Sequence, residues 1–250
     1  MKIISWNVNG IRARLKNNNG INFNDYDIIC LQEIKIQDDQ IINLIKENSN
    51  LFNNFNYYSN GGKKKGQSGV LIFTKIKPIN IDINLGNQLF DEEGRIINLE
   101  FDNYYLINCY VPNSGQKLKR LNFRKKWDQY LRIYIKILQE KKPIILCGDL
   151  NVIHHNIDIY DNNKMNKKHI AGCTILEEKN FDKLLSIGLK DVFRELYPNE
   201  KSFSYFNYNT KNGWRLDYFI ISNILMKNIK SIKYLTDLGT SDHIPLLLEL

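Results

Sequence analysis

The chain reads as an α+β fold in which two packed β-sheets are flanked by helices. Three observations lead there. Strand-like apolar segments recur from the first residues to the last with only a few helical stretches between them, a distribution that suits stacked sheets with outer helices. No internal repeat, low-complexity linker or shift in composition marks a boundary, so residues 1–250 are expected to form one domain. Finally, 43% hydrophobic against 25% charged residues is ordinary for a chain long enough to bury a large core, which excludes a disordered protein.

The elements follow in order. Residues 2–9 and 27–33 are strand-like, and Ile41, Ile42, Leu44 and Ile45 give the segment Gln37–Glu47 helical spacing. Gly61-Gly62-Lys63-Lys64-Lys65-Gly66-Gln67 is a loop ahead of a strand at Gly69–Thr74, either a solvated hairpin tip or a phosphate-contacting loop. Arg95–Phe101 and Tyr105–Val111 are two strands joined by the turn-forming pair Asp102-Asn103. The clearest helix runs from Leu118 to Leu138, where Leu118, Leu121, Trp127, Tyr130, Leu131, Tyr134, Ile135 and Leu138 form one apolar stripe expected to face the core. Ile144–Cys147 is a short β-branched apolar run after Pro143, hence a buried strand. Asp158–Lys168 is polar and aperiodic, so a loop, and a helix is expected at Leu176–Ile187. An aromatic stretch, Phe203–Tyr208, precedes strands at Arg215–Ser222 and Pro245–Leu250.

A net charge of +8 favours polyanions through counterion release, although a bias toward Asn, Ile and Lys runs through the whole chain and raises the charge by itself. The four cysteines, Cys30, Cys109, Cys147 and Cys173, show no paired or zinc-like spacing. That predicts free thiols in an intracellular, reducing compartment. No apolar run approaches the ~20 residues that span a bilayer, and no secretory segment precedes the first strand, so no membrane association is expected.

The chemistry concentrates where apolar strands end in polar residues. Gly148, Asp149 and Asn151 close the Ile144 strand, Trp6-Asn7-Val8-Asn9 and Leu31-Gln32-Glu33 close two others, and Ser241-Asp242-His243 precedes the last. One such ending is ordinary. Four of them, far apart in sequence, suggest one site at a sheet rim. Asp217 also lies within an apolar run, and carboxylates there are costly unless paired or bound to metal. Hard oxygen donors with Asn suit Mg²⁺ or Mn²⁺ rather than zinc. His243, between Asp242 and Ile244, is a candidate general acid or base, with Asp217 as its orienting carboxylate.

Six segments appear in order: Ser5-Trp6-Asn7-Val8-Asn9-Gly10-Ile11-Arg12-Ala13, Leu31-Gln32-Glu33-Ile34-Lys35, Tyr110-Val111-Pro112-Asn113, Gly148-Asp149-Leu150-Asn151-Val152, Gly213-Trp214-Arg215-Leu216-Asp217-Tyr218 and Ser241-Asp242-His243. Together the chain resembles the exonuclease III-type apurinic/apyrimidinic endonucleases of the endonuclease/exonuclease/phosphatase superfamily, from Met1 to the C-terminus. The Gly213–Tyr218 run separates it from the lipid and inositol phosphatases. The resemblance implies a four-layer α/β sandwich and a Mg²⁺-dependent hydrolase. It would cut the phosphodiester 5′ to abasic sites in duplex DNA and trim blocked 3′ ends, acting as a monomer. By matching position, Glu33 holds the metal with Asn7 and Asp242 nearby. Asp149 and Asn151 handle the attacking water, His243 held by Asp217 meets the phosphate, and Tyr110 and Asn113 complete the clamp. Tyr205, Phe206, Trp214 and Leu216 match the abasic-sugar pocket, and Arg12, Lys35, Lys65, Lys168 and Tyr208 are implied DNA-backbone contacts. Gln67, Gln116 and Asn209 depart from residues that relatives use to grip or enter the duplex. Two alternatives remain: a superfamily phosphatase or phosphodiesterase acting on a non-nucleic-acid ester, and a DNA-binding relative without catalysis.

Overall fold

The computed structural model describes residues 1–16, 22–160, 169–207, 212–238 and 241–250. The amino-terminal half places β1 (Lys2–Asn7), α1 (Ile11–Lys16), β2 (Ile28–Gln32), α2 (Asp38–Glu47), α3 (Ser49–Phe52), β3 (Asn56–Asn60), β4 (Val70–Thr74), β5 (Asn80–Asp82), α4 (Gln88–Asp91), β6 (Ile96–Glu100) and β7 (Tyr105–Tyr110). There follow α5 (Leu121–Gln139), β8 (Ile144–Asp149), α6 (Ile175–Leu185), β9 (Leu189–Asp191), α7 (Val192–Leu196), β10 (Tyr205–Phe206), β11 (Gly213–Trp214), β12 (Asp217–Ser222), β13 (Ser231–Tyr234) and β14 (Leu246–Glu249).

These strands build two six-stranded sheets, β13-β14-β1-β2-β4-β3 and β5-β6-β7-β8-β12-β9, plus a two-stranded ribbon, β10-β11. The strand period of two sorts each central strand between two cores. In β8, Ile145 and Cys147 face the other sheet, while Ile144 and Leu146 face the outer helices. That double burial is why the strand reads as a continuous apolar run. The middle core joins Ile3, Ile28 and Ile72 of one sheet to Leu99, Leu106 and Phe219 of the other. A second core packs α5 and α6 on β7 and β8, and a third packs α2 and α3 on β1, β2 and β4. Helix, sheet, sheet, helix is the four-layer sandwich expected. Among the described residues no helix is long and apolar enough to cross a membrane.

The topology aims chemistry at one edge. β1 runs parallel to β2, and β7 parallel to β8, so Asn7, Gln32, Tyr110 and Asp149 all end their strands. β12 is antiparallel to β8 with Asp217 opposite Asp149, and β14 is antiparallel to β1 with Leu246 opposite Ser5. The starts of β12 and β14 therefore join those ends.

Three expectations need correction. The long helix begins at Leu121, because Lys117 and Leu118 have φ of 52° and 58°, outside right-handed helical geometry. In its stripe Trp127, Leu131 and Ile135 are buried, whereas Tyr130 is exposed and only flanks the core against Phe90. Asp158, expected in a polar loop, has no exposed surface and pairs with Arg215, 2.7 Å from Asp158 Oδ1 to Arg215 Nε.

Gly148 is required where β8 meets the site. Its φ is +134°, and a Cβ there would stand 1.9 Å from the Cys109 carbonyl oxygen on β7. The contact is backbone on both sides, so no side chain can yield. Gly148→Ala is expected to lose about 2–4 kcal/mol of unfolding free energy, read as a lower urea midpoint at unchanged slope. An unchanged midpoint would show that β7 and β8 tolerate being pushed apart.

Candidate active site

Asn7, the last residue of β1, is fully buried, and its side-chain amide donates to Glu33 Oε1 and to Asp149 Oδ2, both at 3.0 Å. Asp149 Oδ1 accepts the Asn151 backbone N–H at 2.9 Å. Asn151 donates its amide to the Val111 carbonyl and accepts from Asn113 Nδ2 at 2.8 Å. The Tyr110 hydroxyl is hydrogen-bonded to Glu33. On the other side of the cluster, His243 Nδ1–H donates to Asp217 Oδ2 at 2.8 Å, and Nε2 stands 3.9 Å from Asp149 Oδ2. Lys35 Nζ lies 3.1 Å from Glu33 Oε2 and also bonds Asn9 Oδ1, while Asn9 Nδ2 donates to Asp242 Oδ1 at 3.1 Å. The structure thus brings together Asn7, Glu33, Tyr110, Asn113, Asp149, Asn151, Asp217 and His243. Among the described residues, Asp242 is linked to Glu33 through Asn9 and Lys35.

The backbone is bent to do this. Seven non-glycine residues among those described have positive φ, and four of them, Asn9, Glu33, Lys35 and Asn151, belong to this rim. Such conformations are costly and collect at functional sites.

Burial and crowding set the charges. Asp149 is pushed up to about 7, first by burial and then by the carboxylates of Asp217 and Glu33, against the pull of His243. Burial opposes a charged His243, but Asp217 and then Asp149 and Asp242 outweigh it and hold the imidazole at about 10, so it is cationic at neutral pH. Burial also opposes ionisation of Glu33; hydrogen bonds from Asn7 and Tyr110, and the Lys35 ammonium, nevertheless lower it. One rim therefore carries a firmly ionised carboxylate, a proton acceptor poised near neutrality and a fixed imidazolium.

Beside His243 lies an apolar surface. Leu216 clusters with Ile153, Ile159 and Cys173, and Tyr205 and Trp214 pack against them. The Tyr205 ring is 5.0 Å from the His243 ring and 5.8 Å from Trp214. Phe206 stands apart, 36% exposed and edge-on to Phe203. Arg12 and Lys65 are exposed, on α1 and on the β3–β4 loop, whereas Lys35 is half-buried against Glu33. Lys168 and Tyr208, with Asn209, lie outside the described residues.

Sequence reasoning overlooked two contributors. Ser204, in a stretch read only for its aromatics, accepts hydrogen bonds from the N–H groups of Leu216 and Asp217. Asp158 anchors Arg215, which also reaches Asp191 Oδ2 at 2.7 Å. The one available signal for Asp158 was Arg215 itself, a cation inside an apolar run that must find a buried anion.

The donor set fits a hard divalent cation. Mg²⁺ retains several waters and needs only one or two carboxylates. Glu33 is ionised and partly exposed, its Oε1 accepts from the Asn7 amide nitrogen, and its Oε2 already attracts the Lys35 ammonium.

The Asp158–Arg215 pair gives a pH signature. Burial opposes the Asp158 carboxylate, but Arg215 and then Arg194 hold it at about 2, below its usual 3.8. A group depressed in the folded state stabilises fully above its unfolded value and loses that contribution as pH falls through the folded one. The difference corresponds to roughly 2 kcal/mol, present at pH 5 and gone by about pH 1.5. Asp158→Asn should be less stable than the parent at pH 5, with the gap narrowing toward pH 2 in urea unfolding. A pH-independent gap would contradict this assignment.

Comparison with known proteins places this rim in context. The chain is 41% identical to an exodeoxyribonuclease of Bacillus subtilis (strain 168) over 254 residues, covering 98% of this chain and 97% of that protein. It is 40% identical to the DNA repair nuclease APEX1 of Danio rerio over 259 residues, covering 99% and 81%. Among solved structures, an AP endonuclease from Leishmania major superposes with a TM-score of 0.84 at 28% identity, covering 99% and 86%. The model of the Endonuclease/Exonuclease/phosphatase family matches residues 4–243, from β1 to His243 and across every strand end that forms the rim, and the chain belongs to that family.

Proposed function

We propose that the chain is a DNA repair nuclease that hydrolyses the phosphodiester 5′ to an abasic site in duplex DNA and trims blocked 3′ ends. The observation that carries this reading is the Asn7 bridge between Glu33 and Asp149, with the His243 imidazolium 3.9 Å from the same Asp149 oxygen. Phosphodiester hydrolysis needs a base for water and positive charge for the phosphate, and the two stand side by side here.

Asp149, near neutrality and fixed by the Asn151 N–H, accepts the proton of the attacking water. His243 stays protonated because Asp217 holds Nδ1, and it presents Nε2–H to a phosphate oxygen. Asn113 and Tyr110 add donors at the same edge. Glu33 and Asn7, with Asp242 behind Asn9, would hold Mg²⁺ or Mn²⁺, which supplies neutralisation of charge on the phosphate oxygens. Tyr205, Trp214 and Leu216 form the apolar surface that receives a sugar without a base, and extruding such a nucleotide forfeits no stacking or pairing. The +8 charge supports duplex binding, with Arg12, Lys35 and Lys65 as backbone contacts. Four free, buried cysteines support a reducing intracellular compartment.

The test is a labelled duplex with one abasic analogue, beside an intact control and a small phosphate ester. Incision on the 5′ side is expected with Mg²⁺ and not with chelator. Glu33→Gln and Asp149→Asn should each lose at least about 100-fold in kcat. Wild-type rates from Glu33→Gln, or faster turnover of the small ester, would refute the assignment.

A further inference from the structure

Ser204 has no exposed surface and lies where three segments of the rim meet. Its Oγ accepts the backbone N–H of Leu216 at 2.9 Å and that of Asp217 at 3.0 Å. Its own N–H donates to the Trp214 carbonyl, and its carbonyl accepts the Ile244 N–H at 2.6 Å. The next residue, Tyr205, forms a bridge with His243. One serine therefore ties the apolar surface of Trp214 and Leu216 to Asp217 and to the segment that carries His243.

The two amides explain why a hydroxyl is needed. In an extended strand, successive N–H groups point to opposite sides, so a neighbouring strand accepts every second one. At Leu216 and Asp217, consecutive N–H groups converge on one oxygen as the chain enters β12. Without that acceptor both would be buried and unpaired, and the entry to β12 would have to rotate. Rotation there moves Leu216 and the Asp217 carboxylate together, because they are adjacent residues on opposite sides of the strand.

We infer that Ser204 is a positioning residue whose hydroxyl sets the distance between the apolar lesion surface and the Asp217–His243 pair. The inference rests on the proposed nuclease reading for its consequence in catalysis, but not for its geometry. A merely structural serine would cost stability and leave turnover of the folded enzyme intact. A positioning serine costs turnover.

The experiment compares wild type, Ser204→Ala and Ser204→Thr by kinetics on the abasic duplex and by residue-resolved amide exchange on the metal-free protein. Ser204→Ala should lose at least about tenfold in kcat with KM changed less than about threefold, and Ser204→Thr should restore kcat to within about threefold. The Leu216 and Asp217 amides should exchange slowly in wild type and Ser204→Thr, and quickly in Ser204→Ala. Wild-type kcat in Ser204→Ala, or protected amides in that variant, overturns the inference. Should the alanine variant not fold, rapid exchange of the two amides in wild type overturns it, and slow exchange retained in Ser204→Thr supports it. A wild type that leaves abasic DNA uncut sinks the nuclease reading alone, since the exchange data still decide the role of Ser204.

Discussion

The Asn7 side chain gives one NH2 group to two carboxylates that arrive from different sheets, Glu33 after β2 and Asp149 at the end of β8. That contact holds only if the sheets are registered to within a hydrogen-bond length, which apolar packing does not ensure by itself. Directly behind the rim, Gln32 Nε2 donates across the interface to Asn108 Oδ1 at 2.8 Å and, within its own sheet, to Ser5 Oγ at 3.0 Å. Asn108 Nδ2 in turn donates to the carbonyls of Leu31 and Leu71. All of these side chains are fully buried, so sliding one sheet against the other would leave several polar groups unpaired. A directional clasp within an otherwise apolar interface converts packing into register.

The charges depend on that register. Asp149 rises toward neutrality because burial and two other carboxylates crowd it, and His243 stays cationic because those carboxylates surround it. The same crowding that disfavours a third anion favours an added cation. The rim is therefore destabilised as built and relieved by what it binds, a common arrangement where positioned charge is used in catalysis. Positive φ at Asn9, Glu33, Lys35 and Asn151 adds to the strain.

A second buried network steadies the far side. Arg215 has no exposed surface and is held between Asp158 and Asp191, with Arg194 bonding the same Asp158 oxygen at 2.6 Å. The chain pairs as well: Tyr160 N–H donates to the Gly213 carbonyl, and Arg215 N–H to that of Asp158. Trp214 and Leu216 flank Arg215, so a buried cluster of two carboxylates and two guanidinium groups, with Arg215 Nη1 and Arg194 Nε left without a partner among the described residues, fixes the backbone that displays the apolar surface. Removing one partner from such a cluster is far more harmful than its net contribution suggests.

Local pattern determined β1, β2, β4, β6, β7, β8, β12 and β14, the helices α2, α5 and α6 and the polar strand ends, because periodicity and turn chemistry act over a few neighbouring residues. Ile144–Asp149 was legible as a buried strand with a polar end, and Asn7, Glu33, Asp217 and His243 were legible as candidates because acids, amides and imidazole interrupt apolar runs. Tertiary structure alone decided that Asp158 is buried, that Phe206 leaves the apolar cluster, that Lys35 reaches Glu33 and that Ser204 receives two amides. It also began the long helix at Leu121 rather than Leu118. Those outcomes depend on distances between residues far apart in the chain, such as Asn7 to Asp149 and Asp158 to Arg215, and on backbone angles imposed by the facing sheet. No short window of sequence encodes such distances, since they exist only once both sheets are packed.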